Sequence, residues 1–421
     1  MASVTSLEAS VEATLSTLRE QAQKQPFTIF RVPAYIRESS RAAYEPRMVS
    51  IGPYYNGAAA PRSMEDHKWR FLDDLLSRNP GISSSVLIQE MRSLEARARA
   101  CYSERPALDS DDFIRMLLLD GCFILEFLFK WHTKELDATS DVGWGLTLIT
   151  VDLFLLDNQV PVPFFVVEKL YDVVAGVRGS RDLLVNLFLE YTSDDKTITR
   201  PSRDSEIHHL LHLYYDSFVP KLSPEVEFSW AKNTVVIPPA TALSDIGVTF
   251  VVNRAPARDR FVVKFDGSRG VMEMPLLEID NIKAPIIGKL MAFEQTRRDV
   301  NVGVLTSFLR LMSMLVPTAE DVALLRRNSI WGNEVARFFN HLGESALTKY
   351  DWVFSGLCRE VDQYCNSWRR KNCAALKRTE LMTIYFRSPW SIISVVAAAL
   401  VILLTARGGG LSMARYDARH P

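Results

Sequence analysis

The sequence predicts an α+β fold: a mostly helical body with a β-rich segment in its third quarter, followed by one C-terminal transmembrane helix. Three observations carry this expectation. Apolar residues recur at helical spacing through most of the chain, and β-branched and aromatic runs cluster between about 233 and 279. The third is residues 388–406, nineteen positions without a charge between Arg387 and Arg407. As a helix rising 1.5 Å per residue they reach about 28 Å, close to the ~30 Å hydrocarbon thickness of a bilayer.

Taken in order, residues 1–26 place Val4, Leu7, Val11, Leu15 and Leu18 on one stripe of an amphipathic segment. It is too short to be a stable isolated coiled coil, so it is expected to dock on the body or on a partner. The globular domain covers 27–386. Its first stretch is punctuated by Pro33, Pro46, Gly52, Pro53 and Gly57, which predicts loops and short extended pieces. "MEDHKWRFLDDLLSR" predicts a helix with Trp69, Leu72, Leu75 and Leu76 inward, and a second helix covers about 84–100. Asp109 or Ser110 is placed to cap a helix over 111–131. That run, "FIRMLLLDGCFILEFLFKW" over most of its length, is strongly apolar, yet Asp120 and Glu126 would each cost about 2.5–3.5 kcal/mol in lipid. It is therefore read as a buried helix of the body. Another buried helix is expected at about 150–158, before Pro161 and Pro163 interrupt the pattern.

The polar stretch 193–205, "SDDKTITRPSRDS", divides a helical part (27–192) from an α+β part (206–386). In the latter, "NTVVIP", "GVTFVV", "RFVVKFDGSRGVMEM" and "LLEI" predict strands, with a hairpin turn over 266–270. Helical patterning returns from about 284. In the span, Ile392, Ile393, Val395, Val396, Leu400, Val401, Ile402, Leu403 and Leu404 together favour insertion by about 3–5 kcal/mol. Trp390 suits the headgroup level, and Gly408 to Gly410 stop the helix, leaving 407–421 as a short tail.

The N-terminus lacks the basic-then-apolar character of a signal peptide, so a tail-anchored, single-pass protein of the plasma membrane or an endomembrane is expected. Arg369, Arg370, Lys371, Lys377, Arg378 and Arg387 precede the span, against Arg407, Arg415 and Arg419 after it. This bias puts the body on the cytoplasmic side. Ser394 and Ala398 form a small-residue face through which two spans could pair as a homodimer.

With 49 Lys+Arg against 50 Asp+Glu, no whole-molecule field favours nucleic acid. Five scattered cysteines read as reduced thiols rather than a disulfide framework. His208, His212 and Asp216 follow an i, i+4, i+8 pattern, but residues eight apart on a helix are ~12 Å apart along its axis and cannot share one ion. No metal or other cofactor is expected, and neither a nucleophile elbow nor a phosphate loop occurs. The buried polar candidates are Asp120, Glu126, Asp157, Asn158 and Gln159, with Asp152 beside them. Carboxyl groups in apolar surroundings either rise in pKa or find partners, and structural partnership is the commoner fate. No catalytic residue is assigned. The expected function is non-enzymatic recognition or signalling through a protein or peptide partner. The alternative is a membrane-tethered enzyme using the buried carboxylates or the His208/His212 face.

Ordered blocks then point to one family. "FRVPAYIR", "YEPRMVSIGPYYNG", "MEDHKWRFL", "MLLLDGCFILE", "VDLFLLDNQVPVPFFVVEKLY", "ALSDIGVTF", "PLLEID", "MAFEQ", "TAEDVALLRRNSIWGN" and "YFRSPWSIISVVAAALVILLT" resemble, over about 27–406, the plant family called domain of unknown function 247. The chain departs from that pattern at Tyr55-Asn56, where many members have two histidines, and at Asp157, where members have Glu. An additional Val-Pro pair follows Gln159, and the tail after Leu404 also differs. The resemblance implies a plant protein with one C-terminal anchor and no established catalytic activity. Some grass members are associated with pollen-side self-incompatibility, which implies cell recognition or signalling.

Overall fold

The computed structural model describes residues 7–16, 27–39, 41–57, 62–135, 145–160, 166–175, 181–192, 199–202, 206–220, 236–253, 260–276, 283–297, 303–328 and 353–367. Their helices are α1 (7–16), α2 (Ala34–Ser39), α3 (Arg41–Tyr44), α4 (Arg62–Arg78), α5 (Ser84–Ala100), α6 (Ser110–Thr133), α7 (Gly145–Leu153), α8 (Glu168–Ala175), α9 (Arg181–Thr192), α10 (Leu210–Phe218), α11 (Ala240–Asp245), α12 (Lys283–Thr296), α13 (Val304–Leu315), α14 (Ala319–Arg327) and α15 (355–367). The strands are β1 (Thr249–Asn253), β2 (Lys264–Asp266) and β3 (Val271–Pro275).

The hub is α6. Asp109 caps it by accepting from the Asp112 N–H at 2.8 Å, and from Phe113 to Leu128 every residue but Arg115 is buried. A helix that is apolar all round must be covered all round, and α4, α5, α8 and α9 pack against it. Gly121 permits the closest of these contacts: a Cβ there would lie 2.6 Å from Leu170 Cδ1. The Phe71, Phe123 and Phe127 rings stack in sequence, with centroids 5.4 and 5.8 Å apart.

Three expectations are corrected. Trp69 does not face inward but is 50% exposed, because Met64, Lys68, Phe71, Leu72 and Leu75 form the buried stripe of α4 and Trp69 lies about 100° off it. The helix expected at about 150–158 starts at Gly145 and stops at Leu153, leaving Asp157, Asn158 and Gln159 in irregular chain. The reason is local: Asn158 Nδ2 donates to the Asp152 carbonyl at 3.0 Å, and Gln159 Nε2 to those of Leu153 and Leu155 at 2.6 and 2.8 Å. Side-chain amides thus take the carbonyls that another helical turn would have used. Finally, the loops expected at 27–57 include the short helices α2 and α3.

The third-quarter β content is a small mixed sheet of order β1-β3-β2, with β1 parallel and β2 antiparallel to β3. Met272 is central, opposite both Phe250 and Phe265. The expected hairpin forms: Asp266 Oδ1 accepts from the Ser268 N–H and hydroxyl at 2.9 and 2.6 Å, and Gly270 closes the turn at φ +68°. From "NTVVIP", Val236 and Ile237 are irregular, in keeping with Pro238 and Pro239, which offer no N–H to a ladder. Most of "LLEI" lies outside the described residues. Phe354, Cys358, Val361 and Cys365 bury one stripe along α15, whose Tyr364 ring meets Phe265 edge-on at 5.6 Å. One contiguous apolar core runs from Ile29 to Cys365. Among the described residues no helix is long and apolar enough to cross a membrane. The expected span, 388–406, with Trp390 to Leu404, and the Ser394/Ala398 face lie outside the described residues.

Candidate functional site

Four of the buried polar residues, Asp120, Asp152, Asp157 and Asn158, converge on one feature, the strap that carries the chain from Thr28 to Tyr55 across the helical half, extended on either side of α2 and α3. Backbone groups of Thr28, Ile29 and Ser103 pair the strap's start to Cys101 and its neighbours at 2.9–3.0 Å. Further along, the Val32 N–H donates to Asp157 at 3.3 Å. Asp152 receives three successive amides, Arg47, Met48 and Val49, at 3.1, 2.7 and 2.9 Å. Asn158 Oδ1 takes the Ile51 N–H at 2.7 Å while its Nδ2 gives to the Val49 carbonyl at 3.0 Å. Asp120 receives the Gly52 N–H at 2.7 Å. Gly52 itself, at φ +80°, presses on the Gln159 carbonyl so closely that no Cβ fits. An extended segment with no sheet partner would otherwise bury unpaired amides, and these side chains replace the missing strand.

Buried ionisable side chains flank the clasp. Lys68, 2% exposed, places its ammonium 2.7 Å from Asp120, from Glu65 and from the Ser50 carbonyl. Burial alone would depress it, but the two carboxylates outweigh that and hold the ammonium above the ordinary lysine range. Glu126 is bonded instead by Arg78, so Asp120 and Glu126 serve different partners. Asp157, 0% exposed, is raised to about 6 by burial, against the pull of the Val32 N–H, the Tyr55 hydroxyl and the nearby Arg31 and Arg37. Beneath Asp152, Lys289 is 4% exposed and donates to the Val151 carbonyl at 2.6 Å. Burial pulls it down to about 7, with Asp152 opposing.

The histidines form a second junction. His208 precedes α10, and His209, buried and not singled out by the spacing argument, is its N-cap. His209 Nδ1 accepts from the His212 N–H at 3.2 Å, which leaves the proton on Nε2 to donate to the Thr28 carbonyl at 3.1 Å. His212 Nδ1 likewise accepts from the His208 N–H at 3.1 Å, and its Nε2 faces Asp216 at 3.4 Å. Arg297 donates to Asp216 at 2.8 Å. Burial would raise Asp216, but the hydrogen bonds from His212 and Arg297 and the charge of Arg297 hold it down at about 2. Of the supposed metal face, the His212 ring is therefore engaged with the chain, whereas His208 contributes its backbone N–H; among the described residues no group of three His, Cys, Asp or Glu could hold a metal ion. One helix away, Glu294, 0% exposed, accepts from the Leu305 and Thr306 amides at 3.0 and 2.7 Å and from the Tyr215 hydroxyl at 2.5 Å.

Lys68, Lys289 and Glu294 escaped the sequence reading. Each carried a legible signal, a charged residue at the apolar phase of a helix stripe. What this arrangement does chemically is hold backbone. A surface groove between α5 and the start of α6 is lined by Arg92, Glu95, Arg99, Arg105 and Asp109, none of them part of the clasp. Its charges close on one another, Arg99 on Glu95 at 2.8 Å and on the Asp109 carbonyl at 2.7 Å.

The fold is a helical body strapped by its own buried carboxylates and amides, with a small mixed sheet, and the chain matches the model of a family of plant proteins of unknown function, domain of unknown function 247, over residues 29–404. The chain belongs to that family. It is 28% identical to UPF0481 protein At3g47200 of Arabidopsis thaliana, covering 95% of this chain and 89% of the relative. It is 20% identical to the putative UPF0481 protein At3g02645 of the same plant, covering 90% and 89%. No solved structure matches the chain.

Proposed function

We propose that the chain is a membrane-anchored, non-enzymatic recognition or signalling protein whose body binds a protein or peptide partner on the cytoplasmic side of the plasma membrane or an endomembrane. Self-incompatibility, with which some grass members of the family are associated, is the narrower form of the same reading. Anchoring is supported by the length and apolarity of 388–406. Recognition over catalysis rests on one observation: Asp120, Asp152, Asp157 and Asn158 are all spent on amides of the strap. A general acid or base must reach a substrate proton, and these groups are surrounded by their own chain.

Microsomes from cells making the full chain test the anchor. Retention in the pellet after alkaline carbonate is expected, and release into the supernatant would overturn it. Protease added to sealed vesicles should digest the body; protection would reverse the orientation. Proximity labelling from the anchored chain should return a reproducible protein partner. Asp157→Asn, which keeps the hydrogen bonds, is expected to leave function intact. Loss of function with partner labelling preserved would put the enzyme reading in its place.

A further inference from the structure

His209 joins two parts of the body through its ring alone. It is fully buried, with Phe293 of α12 edge-on to it at 5.1 Å. Its Nδ1 accepts the His212 N–H and so caps α10, while its Nε2 donates to the Thr28 carbonyl at the start of the strap. This wiring works only while the ring is neutral. Nε2 already carries a proton, so a second one must land on Nδ1, the cap acceptor. The His212 amide would then face a donor, and a buried cation would stand where a neutral ring was.

The surroundings offer that cation no counter-charge. Beside and within α10 it meets His208 and His212, from α12 it meets Arg297, and the strap presents a carbonyl. The carboxylate of the junction, Asp216, is held by Arg297 at 2.8 Å and faces His212 at 3.4 Å, and Glu206 acts on His208. Burial first, then the neighbouring histidines and Arg297, keep the His209 ring well below the ordinary histidine range, against the Thr28 hydrogen bond. A ring less basic in place than when released gains a proton on release, so falling pH favours opening. We infer that His209 is an acid-sensitive latch: on acidification it takes a proton from solvent at Nδ1, uncaps α10 and frees the first turn of that helix from the strap. The strap itself stays on the helical half, because the Thr28 and Ile29 amides donate to the Cys101 carbonyl at 3.0 Å through groups that do not titrate.

The latch is independent of the function proposed above, and amide exchange in the full chain, in detergent and corrected for the intrinsic effect of pH, reads it. Protection of the His212 and Leu213 amides, which bond to the His209 ring and carbonyl, is expected to fall roughly tenfold from pH 6 to pH 5 while α6 stays unchanged. His209→Asn and His209→Ser each keep a capping oxygen that does not titrate in this range, and should abolish the fall. Arg297→Gln removes a cation that faces the ring and should reduce the fall to about threefold or less. Flat protection in the wild-type chain would overturn the proposal, as would a tenfold fall that persists in His209→Asn or His209→Ser. An equal fall in α6 would mean global acid unfolding and would overturn it too. Should neither cap variant fold, an undiminished fall in Arg297→Gln would overturn it alone.

Discussion

Asp157 shows how one residue makes stability depend on pH. Its carboxyl is raised from 3.8 to about 6 in the folded chain, so the folded state holds the proton more tightly than the unfolded state does. The sign follows: this group favours folding most below pH ~4, and that contribution fades as pH rises through 6. The difference amounts to about 3 kcal/mol. Asp157→Asn keeps an acceptor for the Val32 N–H without the charge. Its stability relative to wild type is expected to rise by that amount between pH 4 and 7, read from urea midpoints; a flat difference curve would refute the assignment. Lys68 differs in that its buried charge is matched by neighbouring carboxylates. Lys68→Met should cost about 3–5 kcal/mol by leaving Asp120 unpaired in the core. Gly52→Ala, forced to φ +80° against the Gln159 carbonyl, should cost at least about 3 kcal/mol.

Between residues and whole chain, the elements are joined by side chains that finish each other's ends. Glu294 of α12 supplies acceptors to the first amides of α13. At α14, Thr318 and Asp321 form a capping box, and Asp321 Oδ1 also takes the Thr241 N–H of α11 at 2.8 Å. Such caps tie neighbouring helices as well as stabilising one. Glu294→Gln turns donors toward donors at the start of α13. Amide exchange at Leu305 and Thr306 should accelerate well before exchange in α6 does; equal protection in both would show that the cap is dispensable.

For the whole molecule, the described body and the apolar stretch 388–406 are expected to act as separable parts. A chain ending at Arg387 should melt where the full chain does and no longer pellet with membranes. A drop of more than about 5 °C, which corresponds to roughly 4 kcal/mol for a domain this large, would mean the stretch packs into the body.

By itself the sequence determined whatever depends on local periodicity and covalent chemistry. α5 falls over 84–100 and α6 over the expected core run, because a helix stripe needs only spacing and a cap to declare itself. It also carried the family, through ordered blocks such as "MLLLDGCFILE" and "VDLFLLDNQV". The tertiary structure alone decided what those blocks are for. Asp152, Asp157 and Asn158 lie more than a hundred residues from the amides they hold, and no periodicity links 152–158 with 32–52. It likewise decided that α7 stops at Leu153 and that Lys68, not Trp69, faces the core. A buried amide or charge is settled by whichever distant partner satisfies it, and that partner is brought near only by the fold.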